Sequence, residues 1–117
     1  LLQVFVNLLR NAVNALEGSG TIKVSASKKL QNGRDWLIVT VEDDGRGIDP
    51  EILPVIFEPF VTTRLDARGT GLGLAVAEGI IHQHGGVILA SNRPSGGACF
   101  EITLPSSPKE LSDEQTS

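Results

Sequence analysis

Nine of the thirteen glycines in this chain fall in four tight groups, at positions 45/47, 69/71/73, 85/86 and 96/97. Glycine lets a backbone reach positive φ or come close to another chain or a ligand. A fold that spends its glycines in this way has a few fixed points where the backbone turns sharply or something lies against it. The densest group, Gly69-Thr70-Gly71-Leu72-Gly73, leads straight into Leu74 to His84, an apolar stretch that reads as a helix ended by Gly85-Gly86.

The rest of the chain organises around these points. Leu1, Leu2, Phe5, Leu8, Leu9, Ala12, Val13 and Leu16 recur at steps of three and four, so residues 1–16 read as a helix, stopped by Gly18-Ser19-Gly20. Thr21 to Lys28 alternates, with Ile22, Val24 and Ala26 on one face, and Trp36 to Glu42 is rich in β-branched residues. The Asn32-Gly33 step between them predicts a hairpin. Asp49 and Pro50 have the form of a helix cap and first turn, with Pro54 and Pro59 keeping the ensuing segment short and irregular. Residues 60–73 read as a polar loop. Val87–Ala90 and Cys99–Leu104 read as strands of a second hairpin, turned by Asn92 to Gly97. The expectation is an α/β sandwich of about four strands with helices on one face. Past Leu104 only Leu111 could join a core, so residues 1–105 read as the domain and 106–117 as a disordered tail.

A chain of 117 residues with 40% apolar and 21% charged residues suits one soluble domain with one core. Its net charge of −4 argues against a general nucleic-acid-binding surface. The lone Cys99 excludes an internal disulfide and a cysteine-cluster zinc site, fits a reducing compartment, and reads as a small core residue. No apolar run is long enough for a membrane-spanning helix. The start lacks Met and a basic leader and already lies inside a helical pattern, so the chain reads as a piece of a longer protein.

Three features carry chemistry. Gln3, Asn7, Asn11 and Asn14 are spaced four, four and three apart and line one face of the first helix. Asn is a poor helix-interior residue, so the row is either a solvated face or a set of neutral oxygen donors for a hard cation or a phosphate, and Mg²⁺ is the ion such donors suit. Asp43-Asp44-Gly45-Arg46-Gly47-Ile48 closes a strand. It is either an acidic turn or a carboxylate placed to accept from a flat ligand such as adenine, with glycines that let the ligand approach. Gly69-Thr70-Gly71-Leu72-Gly73-Leu74 opens a helix, where backbone amides and the positive helix end favour a polyphosphate. It matches neither the dinucleotide-binding fingerprint nor the P-loop. Arg64 and Arg68, just upstream, are either solvated or within reach of phosphate oxygens.

Taken together, these segments resemble the catalytic and ATP-binding domain of bacterial sensor histidine kinases, in the GHKL group of ATP-binding proteins. The resemblance runs from residue 1 to about Pro105. Asn7-Leu8-Leu9-Arg10-Asn11-Ala12 is similar to the family's N box, and Asp43 to Ile48 to its first glycine box. Ile56-Phe57-Glu58-Pro59-Phe60 resembles its F box, and Gly69 to Leu74 its second glycine box. Pro59-Phe60-Val61-Thr62-Thr63-Arg64 looks most like the nitrogen-regulation type of sensor kinase.

The resemblance implies an α+β fold, a two-layer α/β sandwich of the Bergerat type. Its mixed sheet would have about four to five strands, covered on one face by about three helices. It implies ATP and Mg²⁺ as cofactors, with Asn11 the metal ligand and Asn7 assisting. Asp43 would accept from the adenine amino group, and Gly45 and Gly47 would shape the adenine pocket. Val61 to Leu72 would form the lid over ATP, with Thr63, Gly69, Thr70, Gly71 and Gly73 at the phosphates and Arg64 a catalytic contact to the γ-phosphate. Ile48, Phe57, Phe60, Leu72 and Leu74 would be apolar neighbours of the pocket or lid. Where Asn14 stands the family often has a basic residue, and where Asp44 stands it often has Asn.

The implied activity is transfer of the ATP γ-phosphate to a histidine on a separate dimerisation domain of the same protein, with a response regulator downstream. The implied location is cytoplasmic, with no direct membrane contact for this domain and room for a membrane anchor elsewhere in the parent. Members of the wider group that hydrolyse ATP with water commonly carry Glu where this chain has Asn7; Asn cannot take a proton, which favours phosphoryl transfer over hydrolysis. A non-catalytic nucleotide-binding domain and an ATPase of the same group are the alternatives. His82 and His84 precede Gly85-Gly86 as last-turn residues rather than phosphoacceptors, because the family's acceptor lies upstream on another domain.

Overall fold

The computed structural model describes residues 1–16, 18–59 and 73–106. The first helix, α1, runs Leu2–Leu16 and turns Val4, Leu8, Ala12 and Ala15 into the core. The apolar pattern on this helix is wider than one stripe. Leu2 and Val13, at 79% and 57% exposure, lie on the second stripe at the surface, whereas Val4 is fully buried.

β1 (Ile22–Gln31) and β2 (Arg34–Asp43) form the expected hairpin. Asn32 and Gly33 have φ of 55° and 73°, the two consecutive positive values a primed two-residue turn demands. Such a turn keeps the strands paired to its edge, Gln31 opposite Arg34, so both strands run further than the alternation from Thr21 to Lys28 and the apolar run from Trp36 indicated. The Arg34 guanidinium sits 5.5 Å from the Trp36 ring centroid at this end of the ribbon.

Between Asp49 and Pro59 the chain makes turns and a single 3₁₀ turn at Leu53–Val55 instead of a capped α-helix. Asp49 does act locally, since its Oδ1 accepts the Glu51 amide at 2.9 Å. Pro54 then removes the donor that a continuing helix would need. Helix α2 spans Gly73–Gln83 and buries Leu74, Ala77 and Ile81. It closes as the Gly-Gly pair predicts: the Gly86 amide donates to the Ile81 carbonyl at 2.9 Å and the Gly85 amide to that of His82 at 3.0 Å. His82 and His84 are exposed at this end, with His84 Nδ1 2.9 Å from the Ile80 carbonyl oxygen.

β3 (Val87–Asn92) and β4 (Ala98–Pro105) form the second hairpin. The sheet order is β1-β2-β4-β3. Every pairing among the described residues is antiparallel, so the parallel pair that a mixed sheet implies is not among them. Two hairpins joined through β2 and β4 produce this directly, whereas a parallel neighbour needs a crossover connection. β4 alternates with Ala98, Phe100, Ile102 and Leu104 inward. Phe100 stands opposite Val41, and Ile102 opposite Val39 on one side and Ile88 on the other. These side chains meet those of α1 and α2 in one core cluster, so the helices cover a single face. Cys99 corrects the sequence reading: strand alternation puts it on the uncovered face, half-buried opposite Glu42, rather than in the core.

Candidate functional site

The β2–β4 ladder ends at Glu42 opposite Cys99. The next residue, Asp43, is 2% exposed and is the one buried ionisable side chain among the described residues. Its Oδ1 accepts the Gly45 amide at 2.9 Å and the Ala98 amide at 3.3 Å. Burying a carboxylate is costly unless donors meet it, and here backbone donors from two segments aim the group. Asp44 has a different task, for its Oδ1 accepts the Thr21 amide at 2.8 Å and fixes the start of β1. Of the two adjacent acids, only the first faces inward.

The turn after Asp43 is seated on α1. A side chain at Gly45 would run into the Ala15 carbonyl, and the Arg46 amide donates to that same oxygen at 3.3 Å. Gly47 has φ of 79°, and Ile48 is buried. On the other side the second hairpin holds the turn. The Ile48 amide donates to Asn92 Oδ1 at 2.7 Å, and Asn92 Nδ2 donates to the Ile48 carbonyl at 2.8 Å. Arg93 Nη1 donates to the Asp43 carbonyl at 2.9 Å while its Nε lies 3.7 Å from Glu42 Oε2. Sequence reasoning passed over Asn92 and Arg93, because two polar residues in a hairpin turn look unremarkable. Their only signal is their place beside Gly96-Gly97.

Two turns earlier on α1, Asn7 Nδ2 donates to the Gly73 carbonyl at 3.0 Å, tying the polar stripe to the first residue of α2. Asn7, Asn11 and Asn14 are half-buried along this stripe, and Gln3 is exposed. α1 therefore links the start of α2 at Asn7 to the Asp43 turn at Ala15, about 12 Å apart at helical rise. The side chain of Leu74 lies in the core, and Phe57 packs edge-on against Phe100 with ring centroids 6.1 Å apart. Phe60, Thr63, Arg64, Arg68, Gly69, Thr70, Gly71 and Leu72 lie outside the described residues, as does the 107–117 tail.

Among the described residues no group of three or more His, Cys, Asp or Glu could hold a metal. The donors at hand are neutral carboxamides, which fit an ion that takes its remaining ligands from water and substrate phosphates, as Mg²⁺ does. The Cys99 thiol is pushed above its ordinary pKa, first by burial and then by Glu42 and Glu101. No described helix is long and apolar enough to cross a membrane.

Residues 1–108 match the family described as histidine kinase-, DNA gyrase B- and HSP90-like ATPases. The sensor histidine kinase ZraS of Salmonella typhimurium is 49% identical over 105 residues, 90% of this chain and 22% of that protein. The sensory histidine kinase/phosphatase NtrB of Rhodobacter capsulatus is 44% identical over 120 residues, 95% of this chain and 33% of that protein. This chain thus spans between about a fifth and a third of these two relatives. Among solved structures, the catalytic domain of histidine kinase ThkA superposes with a TM-score of 0.75 at 36% identity, covering 91% of this chain and 67% of that one. Full-length ShkA in complex with AMPPNP gives 0.72 at 32% identity, covering 88% and 20%.

Proposed function

This chain belongs to the histidine kinase-, DNA gyrase B- and HSP90-like ATPase family, as an ATP-binding catalytic domain of the sensor-histidine-kinase type, and from that premise we propose that it passes the ATP γ-phosphate to a histidine on a phosphoacceptor domain elsewhere in its protein. In that step the bond between the γ-phosphorus and the β–γ bridging oxygen breaks. A phosphorus–nitrogen bond to the imidazole forms, and ADP leaves. The phosphohistidine then serves a response regulator.

ATP lies along α1. Asp43 accepts from the adenine amino group through Oδ2, since Oδ1 already serves the Gly45 and Ala98 amides. Gly45, Gly47 and Ile48 line the purine. Asn11, with Asn7 assisting, would hold Mg²⁺, and Asn14 lies at the same stripe. Bound there, the ion would supply positive charge against the phosphates. On this reading the phosphate site also takes in Thr63, Arg64, Gly69, Thr70, Gly71 and Gly73, with Phe60 and Leu72 as apolar neighbours of the pocket or lid. Asn7 donates to Gly73 and has no proton-accepting group, so it orients the lid's end of the site and does not activate water. Residues 1–105 are the catalytic unit, located in the cytoplasm, and Ser106, buried with its amide donating to the Asp35 carbonyl at 2.9 Å, packs onto its end.

The observation that carries this reading is the buried Asp43 carboxylate, whose Oδ1 is held by backbone amides from two segments of the chain. Calorimetric titration of Asp43→Asn tests it. ATP affinity is expected to fall by about tenfold or more, one charge-assisted hydrogen bond's worth, while inorganic triphosphate affinity holds. Equal losses for both would defeat the adenine assignment. Mixing the chain with a sensor kinase's phosphoacceptor domain and γ-labelled ATP tests transfer: acid-labile label on histidine is expected, and free phosphate without labelled histidine would favour the ATPase alternative.

A further inference from the structure

The backbone around Asp43 poses an accounting problem whose solution assigns work to two residues outside the recognised boxes. Beyond Glu42 opposite Cys99, β2 has no further main-chain partner in β4, yet the adjoining turn has buried and half-buried amides and carbonyls to satisfy. The Asp44 and Arg46 amides go to the Thr21 and Ala15 carbonyls, and side chains of the β3–β4 hairpin supply partners for the Asp43 carbonyl and for Ile48. Asn92 meets both the amide and the carbonyl of Ile48, at 2.7 and 2.8 Å, as a neighbouring strand would. Arg93 caps the Asp43 carbonyl at 2.9 Å. In return the Asp43 carboxylate accepts the Ala98 amide, at the far end of the same hairpin turn. The fit is close: a Cβ at Gly47 would stand 3.0 Å from Asn92 Oδ1, and one at Gly97 would collide with the Asp43 carbonyl.

We infer that Asn92 is a positioning residue for adenine recognition, acting through the Asp43–Ile48 turn, with Arg93 as its second anchor. The inference rests on the adenine reading of Asp43. Asn92 uses both ends of its carboxamide on Ile48 backbone, so its contribution comes from holding the turn. Truncating it frees the segment between Asp43 and Ile48, which must then be ordered by the nucleotide itself, and the adenine end of the ligand bears that cost. The triphosphate end, which depends on α1 and the start of α2, does not.

The test is a double-mutant cycle on the full chain, with wild type, Asn92→Ala, Asp43→Asn and the double variant. Each is titrated with ATP and with inorganic triphosphate at fixed Mg²⁺. Asn92→Ala is expected to weaken ATP by about tenfold, for two neutral hydrogen bonds, and triphosphate by less than about twofold. Because Asn92 holds the turn that carries Asp43, adding Asn92→Ala to Asp43→Asn is expected to cost less ATP affinity than Asn92→Ala costs in wild type. If Asn92→Ala weakens both ligands equally, or if its effect adds in full to that of Asp43→Asn, Asn92 is structural only and the inference falls. If Asp43→Asn itself leaves ATP affinity unchanged, the adenine reading falls and takes this one with it. Should Asn92→Ala fail to fold, Asn92→Ser replaces it under the same criteria, since a single short hydroxyl keeps a polar group in the turn but cannot reproduce the two-ended bridge to Ile48.

Discussion

Gly96 and Gly97 are neighbours in one turn, both with positive φ, and they separate two reasons for needing glycine. At Gly96, with φ of +108°, an added Cβ meets nothing within 4 Å. At Gly97, with φ of +89°, it would strike the carbonyl of Asp43 and crowd the backbone of Asp44. Gly96→Ala therefore carries only the conformational cost, about 1–2 kcal/mol for a non-glycine residue in left-handed space. Gly97→Ala carries that plus the cost of forcing apart a packed contact, about 1–3 kcal/mol more. The sum, about 2–5 kcal/mol, is a large part of the roughly 5–15 kcal/mol that holds a domain together. Gly79 is the control: it lies inside α2 with open space around its Cα, so Gly79→Ala should gain about 0.5–1 kcal/mol. At about 4 °C per kcal/mol for a chain of this size, calorimetric melting should place Gly79→Ala about 2–4 °C above wild type. Gly96→Ala should fall about 4–8 °C below it, and Gly97→Ala about 8–20 °C below. The Gly97 variant should also lose ATP affinity, because the displaced backbone is that of Asp43. If Gly97→Ala melts within about 2 °C of Gly96→Ala, the close approach of the second hairpin to Asp43 is not what this turn requires.

Asn11→Ala should abolish the Mg²⁺ dependence of ATP binding while leaving Mg²⁺-free binding within about twofold, measured by titration with and without the metal; an unchanged Mg²⁺ dependence refutes the assignment. Cys99 makes stability fall at alkaline pH. Its folded pKa is raised, so the unfolded chain gives up the thiol proton first. The stability present below the ordinary thiol value is lost as pH rises through the raised one. Denaturant melts between about pH 7 and pH 10 should show this loss in wild type and a smaller one in Cys99→Ser, and equal slopes would refute it. Alkylation of the folded chain at neutral pH should likewise be slower than that of a free thiol.

Much of the fold was readable from local chemistry. The Asn-Gly turn, the two hairpins, the Gly-Gly helix stop and the glycine box after β2 stem from turn geometry and periodicity, which act over a few residues and leave a mark in any window of the chain. The reading missed where local rules permit two answers. Leu2, Leu9 and Val13 fit the apolar pattern read for α1 as well as Leu8 does, while the fully buried Val4 lies outside that pattern, and only packing against the sheet selects the buried stripe. Cys99 reads as core by residue type, but strand register turns it outward opposite Glu42. Asp49-Pro50 reads as a helix start, and the prolines beyond it let through only one 3₁₀ turn.

The same division holds at the site. Residue order alone announced a carboxamide row, an acid followed by Gly-x-Gly, and a glycine-rich helix start, because each is a short pattern with its own physical meaning. That the Ala98 amide aims the Asp43 carboxylate, and that Asn92 and Arg93 hold the turn from the other hairpin, was decided by tertiary structure. Those bonds join residues 44 to 55 positions apart, and a separation of that size leaves no trace in local pattern until the β2–β4 pairing brings the two ends together.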